Sequence, residues 1–100
     1  MKVTTDKREG HEVTLKIEGR VFGPMVPELQ RAWKELEPSL GSRRLSVDLR
    51  GVTFVDAAGK RLLAEIHSKT GAAFVADTPL TKYFAEQAQV EIEMQSMAQD

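Results

Sequence analysis

The stretch Leu45-Ser46-Val47-Asp48-Leu49-Arg50-Gly51-Val52-Thr53-Phe54-Val55-Asp56-Ala57-Ala58-Gly59-Lys60 changes period midway, from the two-residue alternation of a strand to the opening of an amphipathic helix. A chain that makes this change must lay a helix back over the strand it has just left. The same change occurs earlier. Val13, Leu15 and Ile17 alternate with Thr14, Lys16 and Glu18, and Gly19 closes the run. Past Gly23-Pro24 and Pro27, the residues Val26, Leu29, Trp33, Leu36 and Leu40 recur at steps of three and four, placing them on one helix face, with Gly41 as the stop. A weaker alternation from Val3 to Arg8, followed by Glu9-Gly10, predicts a hairpin leading into the Val13 strand.

The second half repeats the rhythm. Leu45, Val47 and Leu49 form one strand face, and the tail Val52-Thr53-Phe54-Val55 beyond Gly51 is expected in the core. A helix from about Ala57 to Lys69 turns Leu62, Leu63 and Ile66 inward, Asp56 is placed to accept from its free N-terminal amides, and Gly71 ends it. Ala72-Ala73-Phe74-Val75-Ala76 is uninterrupted apolar sequence of strand length, which predicts a central strand covered on both faces. Thr78-Pro79 supplies a cap and a first-turn proline, and Leu80, Tyr83, Phe84 and Ala88 follow at helical spacing. Val90, Ile92 and Met94 alternate with Glu91, Glu93 and Gln95, which predicts a last strand at an edge, guarded by its glutamates.

The expected order is β-β-α-β-α-β-α-β, an α/β domain with a central, mostly parallel or mixed sheet and helices packed on it. Residues 1–95 form this domain and residues 96–100 a polar tail. A chain of 100 residues with 41% hydrophobic content is enough for one core and too short for two. Lys and Arg number 14 against 15 Asp and Glu, so no overall field draws the protein to nucleic acid or to an anionic membrane. The absence of Cys removes disulfides, thiolate metal sites and thiol nucleophiles, and fits a reducing compartment. The charged start Met1-Lys2-Val3-Thr4-Thr5-Asp6-Lys7-Arg8 is unlike a signal peptide, and no stretch reaches the roughly 18 apolar residues of a membrane span. A soluble, cytoplasmic protein is the expectation, with no direct membrane insertion; a homo-oligomer is compatible with it.

The Leu45–Lys60 segment resembles the central motif of STAS domains, the family of bacterial anti-sigma-factor antagonists, in which a strand carrying Asp leads through a short link to Asp-Ser-Ser/Thr-Gly at the start of a helix. By that resemblance Asp48 matches the acid of the strand, Asp56 and Gly59 match the loop and helix start, and Ala57 falls on the Ser that a partner kinase phosphorylates. Ala58 follows where a second hydroxyl residue is usual, and Lys60 stands where Leu is common. The likeness spans about Val3 to Met94. It implies a non-enzymatic protein-interaction module, without cofactor, whose usual phosphoacceptor position is held by Ala57. A hydroxyl accepts phosphate and a methyl group does not, so a switch of about −1.5 to −2 charges at this helix end is absent. The family would place partner contacts on Asp56, Ala57, Ala58, Lys60 and Arg61, with Gly59 permitting close approach. The implied partner is an anti-sigma factor or serine-kinase-like ATPase. The alternatives are a transporter ATPase served by an accessory subunit, or an anion or nucleotide sensed at the helix end.

The chemistry-bearing residues are otherwise sparse. Asp48 and Asp56 could pair as acid and base or as metal ligands, but a turn acid and a helix cap account for them, and no third ligand is apparent. His11 and His67 lack a nucleophile or a metal ligand at helical spacing and read as solvated surface residues. Lys60 and Arg61 oppose the helix dipole and read as solvated cations, with an anion as the alternative. Trp33 falls on a core face, Arg43-Arg44 is too small for a nucleic-acid site, and Met94 and Met97 would close over the core or meet a partner. Thr53, in the apolar link and expected to be partly buried, and Thr78, expected to be occupied as a cap, are poor substitute phosphoacceptors.

Overall fold

The computed structural model describes the backbone of residues 1–9 and 12–98 and the side chains of residues 1–7 and 12–88. Strand β1 (Lys2–Glu9) runs antiparallel to β2 (Glu12–Val21), as the hairpin pattern requires; the expected turn at Gly10 and the neighbouring His11 lie outside the described residues. A single 3-10 turn (Gly23–Met25) leads into α1 (Val26–Leu40). Strand β3 (Arg44–Val55) follows, then α2 (Ala57–Thr70), β4 (Ala73–Val75) and α3 (Pro79–Ala98). The sheet order is β1-β2-β3-β4, with β2, β3 and β4 mutually parallel and joined by helical crossovers. The α/β arrangement with a four-stranded mixed sheet agrees with the expected fold class.

One face of the sheet carries the core. Val13, Leu15 and Ile17 are fully buried while the intervening Thr14 is half-buried and Lys16 exposed, so helices cover one side of β2. Val47 and Leu49 of β3 join them, packed with Leu29, Trp33 and Leu36 of α1 and with Leu62, Leu63 and Ile66 of α2. These are the helix stripes that the three-and-four spacing predicts. Trp33 is completely buried, and its indole Nε1 has no hydrogen-bond partner among the described residues.

Several expectations are corrected. The last strand over Val90, Ile92 and Met94 is helical: α3 continues to Ala98, through the first residues of the expected tail, and the side chains of Met94 and Met97 lie outside the described residues. Alternation over six residues is a weak signal when a capped helix with no Gly or Pro runs directly into it. The Ala72–Ala76 run is the outer strand rather than a central one, with Ala73 exposed and Phe74 and Val75 half-buried. An apolar run reports that a strand is covered and leaves open which strands flank it.

Asp48 is no turn acid. It lies in the middle of β3, 4% exposed, paired in register with Lys16 on one side and Val75 on the other. The strand leads through Gly51 as expected, but by way of an irregularity: β2 steps from Lys16 to Glu18 while β3 steps from Asp48 to Gly51. A glycine suits that bulge because a β-carbon there would stand 2.9 Å from Glu18 Cγ. A second irregularity, between Gly19 and Arg20, breaks the alternation again. Val52 and Val55 reach the core as expected, but Phe54 is turned out, 41% exposed, and Thr53 is exposed as well.

Candidate functional site

The residues singled out by sequence meet where β2 and β3 end side by side and α2 begins. Val21 pairs with Val55, and the residue just after β3, Asp56, donates its backbone N–H to Val21 O at 3.0 Å. The Asp56 carboxylate then takes two amides. Oδ1 accepts from Gly59 N at 2.8 Å, the helix cap expected from sequence, and Oδ2 accepts from Gly23 N at 2.8 Å across the chain. One acid thereby ties the turn before α1 to the first turn of α2. The Gly23 amide, then the Gly59 amide, holds its pKa below the ordinary carboxylate value, so it stays ionised.

Gly59 makes its close approach inward. It is buried, and a β-carbon added to it would lie 2.8 Å from Val55 Cγ1 and 3.0 Å from both Val21 Cγ1 and Val21 O. The glycine therefore lets α2 start directly against the strand ends. Ala57 and Ala58, locked between Asp56 and Gly59, are exposed. The position matching the family's phosphoacceptor is thus on the surface and carries a methyl group.

The two cations of this turn differ in their surroundings. Lys60 is half-buried rather than simply solvated: its Nζ stands 5.4 Å from the centre of the Tyr83 ring on α3. Arg61, with Ala58, Leu62, Val26 and Gln30, lines an open groove of about 470 Å³ between α1 and α2. The opening of α2 therefore serves two surfaces, one shared with α3 and one with α1.

Sequence reasoning missed a neighbouring cluster. Arg20 and Phe54 are register partners on β2 and β3, and the Arg20 guanidinium carbon lies 4.9 Å from the Phe22 ring centre and 5.6 Å from that of Phe54. The available signal was Arg20-Val21-Phe22, which alternates about the buried Val21 just before Gly23; Phe54 was concealed by its place in an apolar run.

The other acid of the motif is elsewhere. Asp48 accepts from Arg50 N and Nε at 3.0 Å on Oδ1 and from Arg50 Nη2 at 2.9 Å on Oδ2. The Arg50 side-chain bonds hold its pKa below the ordinary value, against the opposing effect of burial. The structure does not bring Asp48 and Asp56 together as a pair. His67, expected to be solvated, is half-buried on α2, its Nδ1 2.8 Å from Ala72 O and its ring stacked on Phe74 with centres 5.7 Å apart. Thr78 is occupied as expected, its Oγ1 accepting from Thr81 N at 3.1 Å. Among the described residues no group of three or more His, Cys, Asp or Glu stands where it would hold a metal ion. Nor is any of the described helices long and apolar enough to cross a membrane.

No protein-family model and no curated protein matches the chain. Solved structures do. A crystal structure of a protein called Mglu superposes with a TM-score of 0.58 at 25% identity over 76% of this chain and 19% of its own. A structure of Mglu in its native form gives 0.55 at 22% identity, covering 75% of this chain and 22% of that one. The chain spans about a fifth of the Mglu chains it matches, so there the fold is one part of a much longer polypeptide.

Proposed function

We propose that this chain is a non-enzymatic protein-interaction module of the STAS type, docking a regulatory protein partner through the first turn of α2. The observation that carries the reading is the presentation of Ala57 and Ala58, exposed between a doubly bonded Asp56 and a buried Gly59. A surface built this rigidly loses little conformational entropy on binding. Because Ala57 has no hydroxyl, the contact is constitutive with respect to phosphorylation at that position. The partner class is an anti-sigma factor or serine-kinase-like ATPase, met in a soluble, cytoplasmic setting.

The test compares wild type with Ala57→Asp in a pull-down from the native organism's lysate, with bound proteins identified by mass spectrometry. The expected result is an ATPase of the anti-sigma kinase class retained by wild type and lost from the variant, because the added carboxylate puts a charge in the middle of the contact. A transporter ATPase showing the same dependence would keep the module and reassign its pathway. Equal capture by both proteins would remove the first turn of α2 from the interface.

A further inference from the structure

The two edges of the sheet are built differently. Among the described residues β1 pairs only with β2 and β4 only with β3, so each strand has an open side. The eight residues of β1 include Lys2, Asp6, Lys7, Arg8 and Glu9, and such a density of charge keeps another strand from settling against it. Around β4 the residues Gly71-Ala72-Ala73-Phe74-Val75-Ala76 contain neither a charge nor a proline. Ala73 is exposed and Phe74, Val75 and Ala76 are half-buried, so no charged side chain of the run guards its open backbone. Of the devices that blunt an edge, β4 has only its shortness, three residues.

What flanks this run defines what fits it. Lys69, in the last turn of α2, precedes it and Asp77 follows it. Lys69 Nζ stands 3.5 Å from Glu65 of its own helix, and Asp77 acts on Arg50 of β3, but both are exposed and have room for a second partner. A run positive at its start and negative at its end matches a second copy of itself only when the two lie antiparallel; side by side in parallel, each charge would meet its like. The helix ends agree. The antiparallel orientation turns the C-terminus of α2, capped at Gly71, towards the other copy's α3, which opens at Pro79, so opposite poles of the two helix dipoles face each other.

The register follows from β4 itself. Only when the pairing is centred on Phe74 does every residue of β4 meet one of the other β4: Phe74 faces its own copy, and Ala73 faces Val75. Phe74 is in register with the buried Val47 and stacked on His67 of α2, so the two Phe74 rings would meet on the helix side of the sheet. Ala73 and Val75, in register with Ser46 and Asp48, lie on the other side, where a small residue would stand opposite a larger one.

We infer that a second copy of this chain binds along β4, antiparallel and centred on Phe74, extending the sheet across a two-fold axis. Three residues a side make a small contact, so the dimer is weak and reversible. The first turn of α2 lies at the other end of that 14-residue helix, about 20 Å away along its axis, so the inference stands independently of the proposed function.

The chain has no Cys, so introduced single cysteines report the pairing. Ala73→Cys, Val75→Cys and, on the other edge, Thr4→Cys are incubated with oxidised glutathione, each alone and in equal mixtures. The expected result is that Ala73→Cys mixed with Val75→Cys forms disulfide-linked dimers about tenfold faster than either alone, because those two positions are directly opposite. Sedimentation velocity of the wild type should show monomer giving way to dimer between about 10 μM and 1 mM. Ala73→Lys changes an exposed residue, so its amide spectrum should remain that of the folded chain while dimerisation weakens about tenfold or more. A wild type still monomeric at the highest concentration would overturn the inference, as would a dimer indifferent to Ala73→Lys or one cross-linked best through Thr4→Cys. Ala73→Cys linking to itself as fast as to Val75→Cys would refute the register and the pairing built on it.

Discussion

Asp48 and Asp56 sit on one continuous segment, both carry depressed pKa values, and they serve different ends. In the middle of β3, Asp48 is buried and takes its bonds from Arg50, two residues along the same strand, whose side chain is 54% exposed. At the β3–α2 junction, Asp56 is partly exposed and takes its bonds from amides on two different elements. Among the described residues the first acid takes its hydrogen bonds from its own strand, with the charge of Lys16 on β2 as a lesser support. The second joins the turn before α1 to the start of α2 and thereby fixes a surface. Reach across the chain distinguishes a site-building acid from a merely satisfied one.

The sharpest way to break the contrast is at Gly59, because the junction depends on helix and strands touching. Gly59→Ala would ordinarily favour a helix by up to about 1 kcal/mol. Here the new methyl would meet the buried side chains of Val55 and Val21 at 2.8 and 3.0 Å and the Val21 carbonyl oxygen at 3.0 Å, none of which can retreat as a long flexible side chain can. The expected outcome is a net destabilisation of about 1 to 3 kcal/mol in urea unfolding, with the fold retained. A variant as stable as wild type would show that α2 is free to lift off the strand ends.

Asp48→Ala comes next. It removes three charge-assisted bonds from a buried position, but Arg50 keeps access to water and is not stranded, so a loss of about 1 to 2 kcal/mol is expected in the same measurement. The Ala57–Arg61 surface should be unchanged, which amide chemical shifts of those residues would report. Shifts spreading to the start of α2 would erase the distinction between the two acids.

The junction was more legible in the sequence than the strand. Asp56, Pro79 and Gly71 are each required by a local rule of capping, and such rules act within a few residues, whereas the inward contact of Gly59 with Val21 was not legible. The amphipathic stripes of α1 and α2 were likewise readable because a helix repeats its face every three or four residues. Thr53 and Phe54 were misread because two bulges against β2 alter the alternation, and a bulge is a property of the pair of strands. The Gly23 partner of Asp56, 33 residues away, and the Arg20–Phe54 contact belong to the same class: both exist because β2 and β3 end together. Edge position for β4 and the continued helix over Val90–Met94 depend on packing that no short pattern encodes.

The smallest effect tests how each acid is held. Both folded pKa values lie below the ordinary 3.8, so each acid contributes stability that is present above the unfolded value and is lost as pH falls through the folded one. Asp56→Ala should cost about 1 kcal/mol at neutral pH, the usual worth of a helix cap, and less as acid protonates the wild-type carboxylate. Asp48→Ala should converge on wild type in the same acid range, so pH alone does not separate the two. Salt does. The Arg50 guanidinium at Asp48 is half in water and is screened, whereas the Gly23 and Gly59 amides at Asp56 are neutral dipoles within hydrogen-bond distance. In thermal melts at pH 7, raising sodium chloride to about 1 M, where screening acts over about 3 Å, should shrink the difference between wild type and Asp48→Ala. It should leave the difference between wild type and Asp56→Ala nearly constant. Equal shrinkage of both would mean that Asp56 is held by charge after all, and the cations of the first turn of α2 would then have to be counted as its partners.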